Sequence, residues 1–299
     1  MQDTGWLWAV FTVIAAASQT ARNAMQRELT ATLGTAGATH VRFLFGFPFA
    51  LLFLAGILLS TGAGLPKPSL AFWPWIVDGA GAQVAATALM LAAMGERSFV
   101  VTIAYIKTEP VQVALFGLIF LGDVLSIGMM VAILIATAGV IVMSLKPGGA
   151  ASDSWRPTVL GLSAGAMFAL SAVGYRGAIL SLEFPNFVVA ASFTLVIGLF
   201  LQAAALSLWL LMREPKVMRD IFAAWRPSML AGFMGALASQ FWFLGFAIAT
   251  AASVRTLALV EVLFAQAVSY FAFGQRTTAR EALGIVLIVV GVALLLWAY

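Results

Sequence analysis

The sequence predicts an all-α polytopic membrane protein, with ten transmembrane helices set as two five-helix inverted-topology repeats around a central cavity. Three observations predict this. The chain of 299 residues is 63% hydrophobic and only 9% charged, with a mean hydropathy of +1.04, whereas a soluble chain is about a quarter charged. Its apolar residues fall into ten runs, each close to the roughly 20 residues that cross a bilayer as a helix. The second half of the chain also repeats features of the first at one fixed offset.

The ten spans are 5–21, 37–60, 72–94, 98–121, 124–145, 158–181, 187–212, 227–250, 254–273 and 280–298. Span 1 follows MQDTG, which lacks the basic stretch of a cleaved signal, so a retained first helix is expected. The connections, among them 22–36, 146–157 and 213–226, are too short for a soluble domain. Spans 6 and 8 begin alike, with WRPT at 155–158 and WRPS at 225–228. In each, Trp anchors at the interface, Arg reaches headgroups and Pro suits a first helical turn.

An offset of 152 residues places Glu109 on Glu261, Gly122 on Gly274 and Gly139 on Gly291. The halves are then 1–146 and 147–299, with five spans each. An odd number of spans per half makes the second half enter from the opposite side, the inverted repeat found in many secondary transporters.

Composition excludes several chemistries. With no cysteine and one histidine, His40, there are no disulfides, thiolates or Cys/His metal sites, and no metal or cofactor is expected. The net charge of +4 fits loop arginines against lipid headgroups, not a nucleic-acid surface. No Gly-Lys dipeptide occurs, so a P-loop is absent, and HExxH is impossible with one histidine. An intramembrane enzyme is therefore disfavoured. A channel would use a ring of equivalent charges or carbonyls; a few charges in a pseudo-symmetric single chain fit a carrier's binding site better.

The candidate site centres on span 4, where Lys107, Glu109 and Pro110 interrupt an apolar run. A central charge costs about 2.5–3.5 kcal/mol on insertion scales. Lys107 and Glu109, two residues apart, point about 200° away from each other and cannot pair on a regular helix. Tyr105, Glu109, Gln112 and Phe116 form one stripe. Pro110 frees a backbone carbonyl at the same level and is expected to flex. Polar stripes also appear at Gln19, Asn23 and Gln26 in span 1, and at Gln83 and Thr87 in span 3. Span 6 has Ser171 and Tyr175; span 8 has Gly235, Ser239, Trp242 and Phe246. These make spans 1, 3, 4, 6 and 8 the expected cavity walls. Gly128, Ala132, Ala136 and Gly139 in span 5, and Gly284 and Gly291 in span 10, form small-residue faces for struts or a homodimer contact.

Ordinary readings compete with these. A Gln or Thr in a bundle is usually an interhelical hydrogen bond. His40 suits a structural hydrogen bond as well as proton handling. Arg42 and Arg255, near span ends, suit snorkelling. Lys107 and Glu261 suit an ion pair across the repeat axis as well as a coupling role.

Two five-span halves, Glu-Pro in span 4 and a Gly-containing span closing each half resemble the EamA-type members of the drug/metabolite transporter superfamily, most of all the YddG-like amino-acid exporters. The chain departs from the family's Gly-Glu after span 4, having Gly122-Asp123 and Gly274-Gln275, and has Glu261-Val262 opposite Glu-Pro. The resemblance implies export of amino acids or similar metabolites across the cytoplasmic (inner) membrane, with multidrug export the alternative. Glu109 would meet the substrate ammonium or carry a coupling proton. Tyr105, Gln112, Gln83 and Gln19 would bind its carboxylate, and Trp242, Phe246 and Phe116 its side chain, with Tyr175 on the same wall. The partners expected are this small molecule and the bilayer, for a monomer or a homodimer through spans 5 and 10.

Orientation has two expectations. The side reached after odd spans carries Arg22, Arg27, Arg97, Lys146, Arg156, Arg213, Lys216, Arg219, Arg226, Arg276 and Arg280; the other has Lys67, Arg176 and Arg255. The positive-inside rule then places both termini outside, whereas the resemblance implies termini inside.

Overall fold

The computed structural model describes residues 5–96, 105–144, 155–264, 266 and 278–299. Every regular element among them is a helix: α1 Leu7–Leu44, α2 Gly46–Thr61, α3 Phe72–Glu96, α4 Glu109–Phe116 continued by a π-turn Gly117–Leu121, α5 Ile127–Ser144, α6 Arg156–Ser181, α7 Phe187–Arg213, α8 Pro215–Ala223, α9 Trp225–Ile248, α10 Ala251–Leu257 and α11 Ala279–Ala298. Among the described residues, five stretches are long and apolar enough to cross a membrane: Glu28–Thr61, Thr158–Ser181, Phe187–Arg213, Trp225–Ile248 and Ala279–Ala298. Glu109–Leu121 and Ile127–Met143 are shorter apolar helices.

The chain divides into two compact units, each drawn from both sequence halves. One holds Met1–Gly81 and Gly174–Ala249, the other Ala82–Val173 and Thr250–Tyr299.

In the first unit, α1 packs along α9, and α7 packs on both. The expected loop after residue 21 is instead helix, continuous except for a kink at Gly34 (φ 65°, ψ 179°), a conformation that glycine adopts without a Cβ clash. The extension is held because Leu29 and Leu33 bury with Leu210, Met218 and Ile221. The expected loop 213–226 is likewise helical in its centre. PKVMRDIFA turns Met218 and Ile221 inward while Lys216 and Arg219 stay exposed, the pattern of an interfacial amphipathic helix. Helices α3 and α6 cross at backbone contact, where a Cβ on Gly174 would lie 2.7 Å from the Gly79 nitrogen.

In the second unit, the small-residue faces of α5 and α11 meet each other. A Cβ on Gly139 would lie 2.8 Å from the Gly284 carbonyl oxygen, and one on Gly291 2.6 Å from the Ala136 nitrogen. A homodimer through these helices would therefore have to use their outer faces. Thr278 and Glu281 start α11 with a reciprocal capping box. Gly122, in the left-handed region at φ 68°, ends the π-turn. Gly274, matched to it at the offset of 152, lies outside the described residues, as does most of the expected span 9 beyond residue 264.

Candidate functional site

The second unit holds the charged residues singled out in span 4. Residues 105–106 are helical, a turn follows at 107–108, and α4 resumes at Glu109. The turn is tight, with Thr108 N–H donating to the Tyr105 carbonyl at 3.3 Å and Val111 N–H to the Thr108 carbonyl at 3.2 Å. The chain of α10 does the same. It turns at 258–259 and resumes at 260, with Leu259 N–H donating to the Thr256 carbonyl at 3.1 Å and Glu261 N–H to the Ala258 carbonyl at 3.0 Å. At the offset of 152 the two turns correspond within one residue. The second occurs without proline, so Pro110 is not what such a break requires. Pro110 does leave the Ile106 carbonyl without its usual helical donor, and that oxygen lies against Gly165 of α6, 3.3 Å from where a Cβ would sit.

Two ion pairs join these broken helices. Lys107 pairs with Glu261, and Arg255 Nε lies 3.2 Å from Glu109 Oε1. Each helix supplies one cation and one anion, and the two glutamates, 152 residues apart in sequence, each take a cation from the opposite helix. The 200° separation of Lys107 and Glu109 thus becomes two outward pairings in place of one internal pair. All four side chains are largely buried, and the Glu109–Arg255 contact is an ion pair without hydrogen-bond alignment, since Glu109 Oε1 accepts no hydrogen bond.

The rest of the span 4 stripe packs on protein. A Cβ on Gly161 would lie 2.7 Å from Tyr105 Cβ, so that ring seats on α6. Gln112 Nε2–H donates to Thr108 Oγ1 at 3.2 Å, and its Oε1 is near Gly165. Phe116 contacts Phe120, with ring centroids 6.2 Å apart. Gln83 is half-buried in the same unit, and its backbone carbonyl accepts from Thr87.

The remaining candidates gather in the first unit. Trp242 Nε1–H donates to Gln19 Oε1 at 3.2 Å. Trp242 stacks on Phe246 with centroids 6.4 Å apart, and Tyr175 lies against Phe243 at 4.5 Å. His40 is fully buried and hydrogen-bonded to Ser207 at 2.9 Å, and Gln26 Nε2–H donates to the Ala38 carbonyl. The first is an interhelical polar contact of the ordinary kind, and the second joins the two segments of α1 on either side of the Gly34 kink.

Four arginines differ from their sequence reading. Arg22, counted as a loop charge, is buried inside α1, and Arg42 is buried too. Arg255 pairs with Glu109 instead of snorkelling. Arg176 Nη1 donates to the carbonyls of Phe246 (2.7 Å) and Ala249 (2.6 Å), capping the end of α9. A signal existed for Arg22: it stands three residues after Gln19, on the polar face of span 1. For Arg255, six residues before Glu261, none did.

These elements define an all-helical protein with several helices suited to a membrane. No family model and no curated protein matches the chain. It is similar to a solved structure described only as the crystal structure of a protein, with a TM-score of 0.71 at 16% identity, covering 98% of this chain and 96% of that one. The likeness shows a shared fold over nearly the whole length.

Proposed function

We propose that this chain is a secondary transporter that exports amino acids or similar small polar metabolites across the cytoplasmic membrane by alternating access. One observation carries the reading. Two helices break at repeat-related positions and exchange charges there. Paired discontinuous helices are how many transporters build a site at mid-membrane depth. A ten-span, two-repeat architecture belongs to the same reading, and the resemblance to EamA-type exporters supports it. Export of lipophilic cations, the alternative, asks for a buried carboxylate facing the ligand. Glu109 faces Arg255 instead, so this pair would have to open before Glu109 met either a lipophilic cation or a substrate ammonium.

Counterflow tests it. Purified protein in vesicles preloaded with unlabelled amino acids is expected to accumulate the matching labelled amino acid transiently and saturably. Unitary currents without saturation, or covalent conversion of the solute, would sink the carrier reading.

A further inference from the structure

We infer that α8 and the two helix ends beside it form a docking surface for anionic phospholipid headgroups, and that these lipids steady the long extension of α1. The inference rests on the membrane setting of α7 and α9 and is independent of the export reading.

Connectivity places α8 at the bilayer surface. It stands between two helices that are each long and apolar enough to cross a membrane, α7 ending at Arg213 and α9 starting at Trp225. Its nine residues make a helix about 13 Å long, and a single residue separates it from each neighbour. A helix tethered this closely at both ends stays at the level where the two spans leave the apolar layer.

The inner face of α8 is occupied. Met218 and Ile221 bury with Leu29 and Leu33 of α1. Val217 meets the α1 backbone, where a Cβ on Gly37 would lie 2.9 Å from Val217 Cγ1. The outer face carries Lys216 and Arg219, three residues apart and therefore neighbours on the helix surface. Arg213 and Arg226 stand at the adjoining helix ends, and all four cations are exposed. Glu214 and Asp220 lie among them, so four cations against two carboxylates leave an excess of two positive charges over 213–226. No ion pair among the described residues ties up any of the four cations.

Phe222 and Trp225 are exposed as well, at 57% and 51%, and the Arg226 guanidinium lies over the Trp225 ring, 5.5 Å from its centroid. Aromatic rings beside cations suit the headgroup level, where the ring enters the acyl boundary and the cation meets phosphate. A free phosphate or an acidic soluble partner would use the cations and leave the rings in water; an anionic lipid uses both. Because α8 buries Leu29 and Leu33, a lipid that holds α8 also holds the part of α1 that precedes the Gly34 kink.

Ala223 is exposed and lies one turn beyond Arg219 on the same side of α8. The chain has no cysteine, so Ala223→Cys labelled with a polarity-sensitive fluorophore reports on this surface alone. The labelled full-length protein in uncharged detergent is titrated with phosphatidylglycerol or phosphatidylcholine. Phosphatidylglycerol is expected to shift the emission to the blue at lower concentration than phosphatidylcholine, and amide hydrogen exchange over residues 28–33 should slow in parallel. Lys216→Gln combined with Arg219→Gln should raise the phosphatidylglycerol concentration required, by about fivefold for each cation removed. Salt at about 1 M should weaken the response of the labelled protein with its native cations in the same direction by screening, an arm that needs no charge variant to fold. Equal responses to the two lipids, or a phosphatidylglycerol response that neither the double variant nor salt weakens, overturns the surface. The same blue shift with inorganic phosphate or polyglutamate in place of lipid overturns the lipid assignment. A shift at the label with exchange over 28–33 unchanged overturns the link to α1.

Discussion

Neutralising one member of the Glu109–Arg255 pair should harm the protein more than neutralising both. At 3.2 Å and an effective dielectric of about 20, the gross attraction is about 5 kcal/mol. Burying each ion costs several kcal/mol, so the net worth of the pair is small. Glu109→Gln nevertheless leaves Arg255 with Lys107 and a single anion, Glu261, in a cluster where Lys107 lies within the field of Arg255. An uncompensated buried charge costs about 3–5 kcal/mol. Arg255→Gln should cost a similar amount with the opposite sign of excess charge. The double variant restores neutrality and is expected to lie closer to wild type than either single change, a coupling of a few kcal/mol. Denaturation midpoints in detergent, followed by far-ultraviolet circular dichroism, supply all four corners of the cycle. Additive effects within about 0.5 kcal/mol, the behaviour of independent sites, would refute the pairing. Counterflow on the same variants separates stability from transport, because the double variant should fold yet have lost one of the two ion pairs at the break.

Three further outcomes are expected. Gly139→Ala or Gly291→Ala should destabilise by about 1–3 kcal/mol through overpacking of α5 on α11, while Gly56→Ala in α2, with nothing within 4 Å of its Cβ, should be neutral or stabilise by up to about 1 kcal/mol; equal midpoints for the two classes would contradict the packing described. Arg176→Gln should lower the midpoint by removing charged donors from the Phe246 and Ala249 carbonyls, about 1.5–3 kcal/mol for such bonds, and an unchanged midpoint would show that the cap is dispensable. A C-terminal reporter active only outside the cytoplasm should be active. Arg22, Arg176 and Arg255 are now committed to the protein interior, leaving exposed Arg156, Arg213, Lys216, Arg219 and Arg226 on one side of the span order and exposed Lys67 on the other. A silent reporter, with a cytoplasmic one bright at the same position, would overturn the charge argument.

The sequence by itself determined the helical class, many of the helix positions and the unusual charges of the Lys107–Glu109 stretch. These follow from local quantities: apolar run length, the price of a charge in an apolar helix, and the turn chemistry of WRPT, WRPS and Gly122. It also exposed the match between Glu109 and Glu261 at the offset of 152, because such an offset is visible without coordinates. Tertiary structure alone decided which charges meet. Arg255 resembles any arginine at a span end until α10 is packed on α4, and the break at 258–259 has no proline or glycine to announce it. The length of α1 was equally hidden, since Leu29 and Leu33 make a helix worth continuing only when Met218 and Ile221 of α8 arrive to bury them. Arg22 and Arg42 are 20 residues apart in sequence, and only the kink at Gly34 lets the Arg22 stem and the Arg42 backbone both pack on Gly235 of α9. Local propensity specifies where a helix can exist. The pairing of buried charges depends on contacts between segments far apart in the chain, which no local pattern encodes.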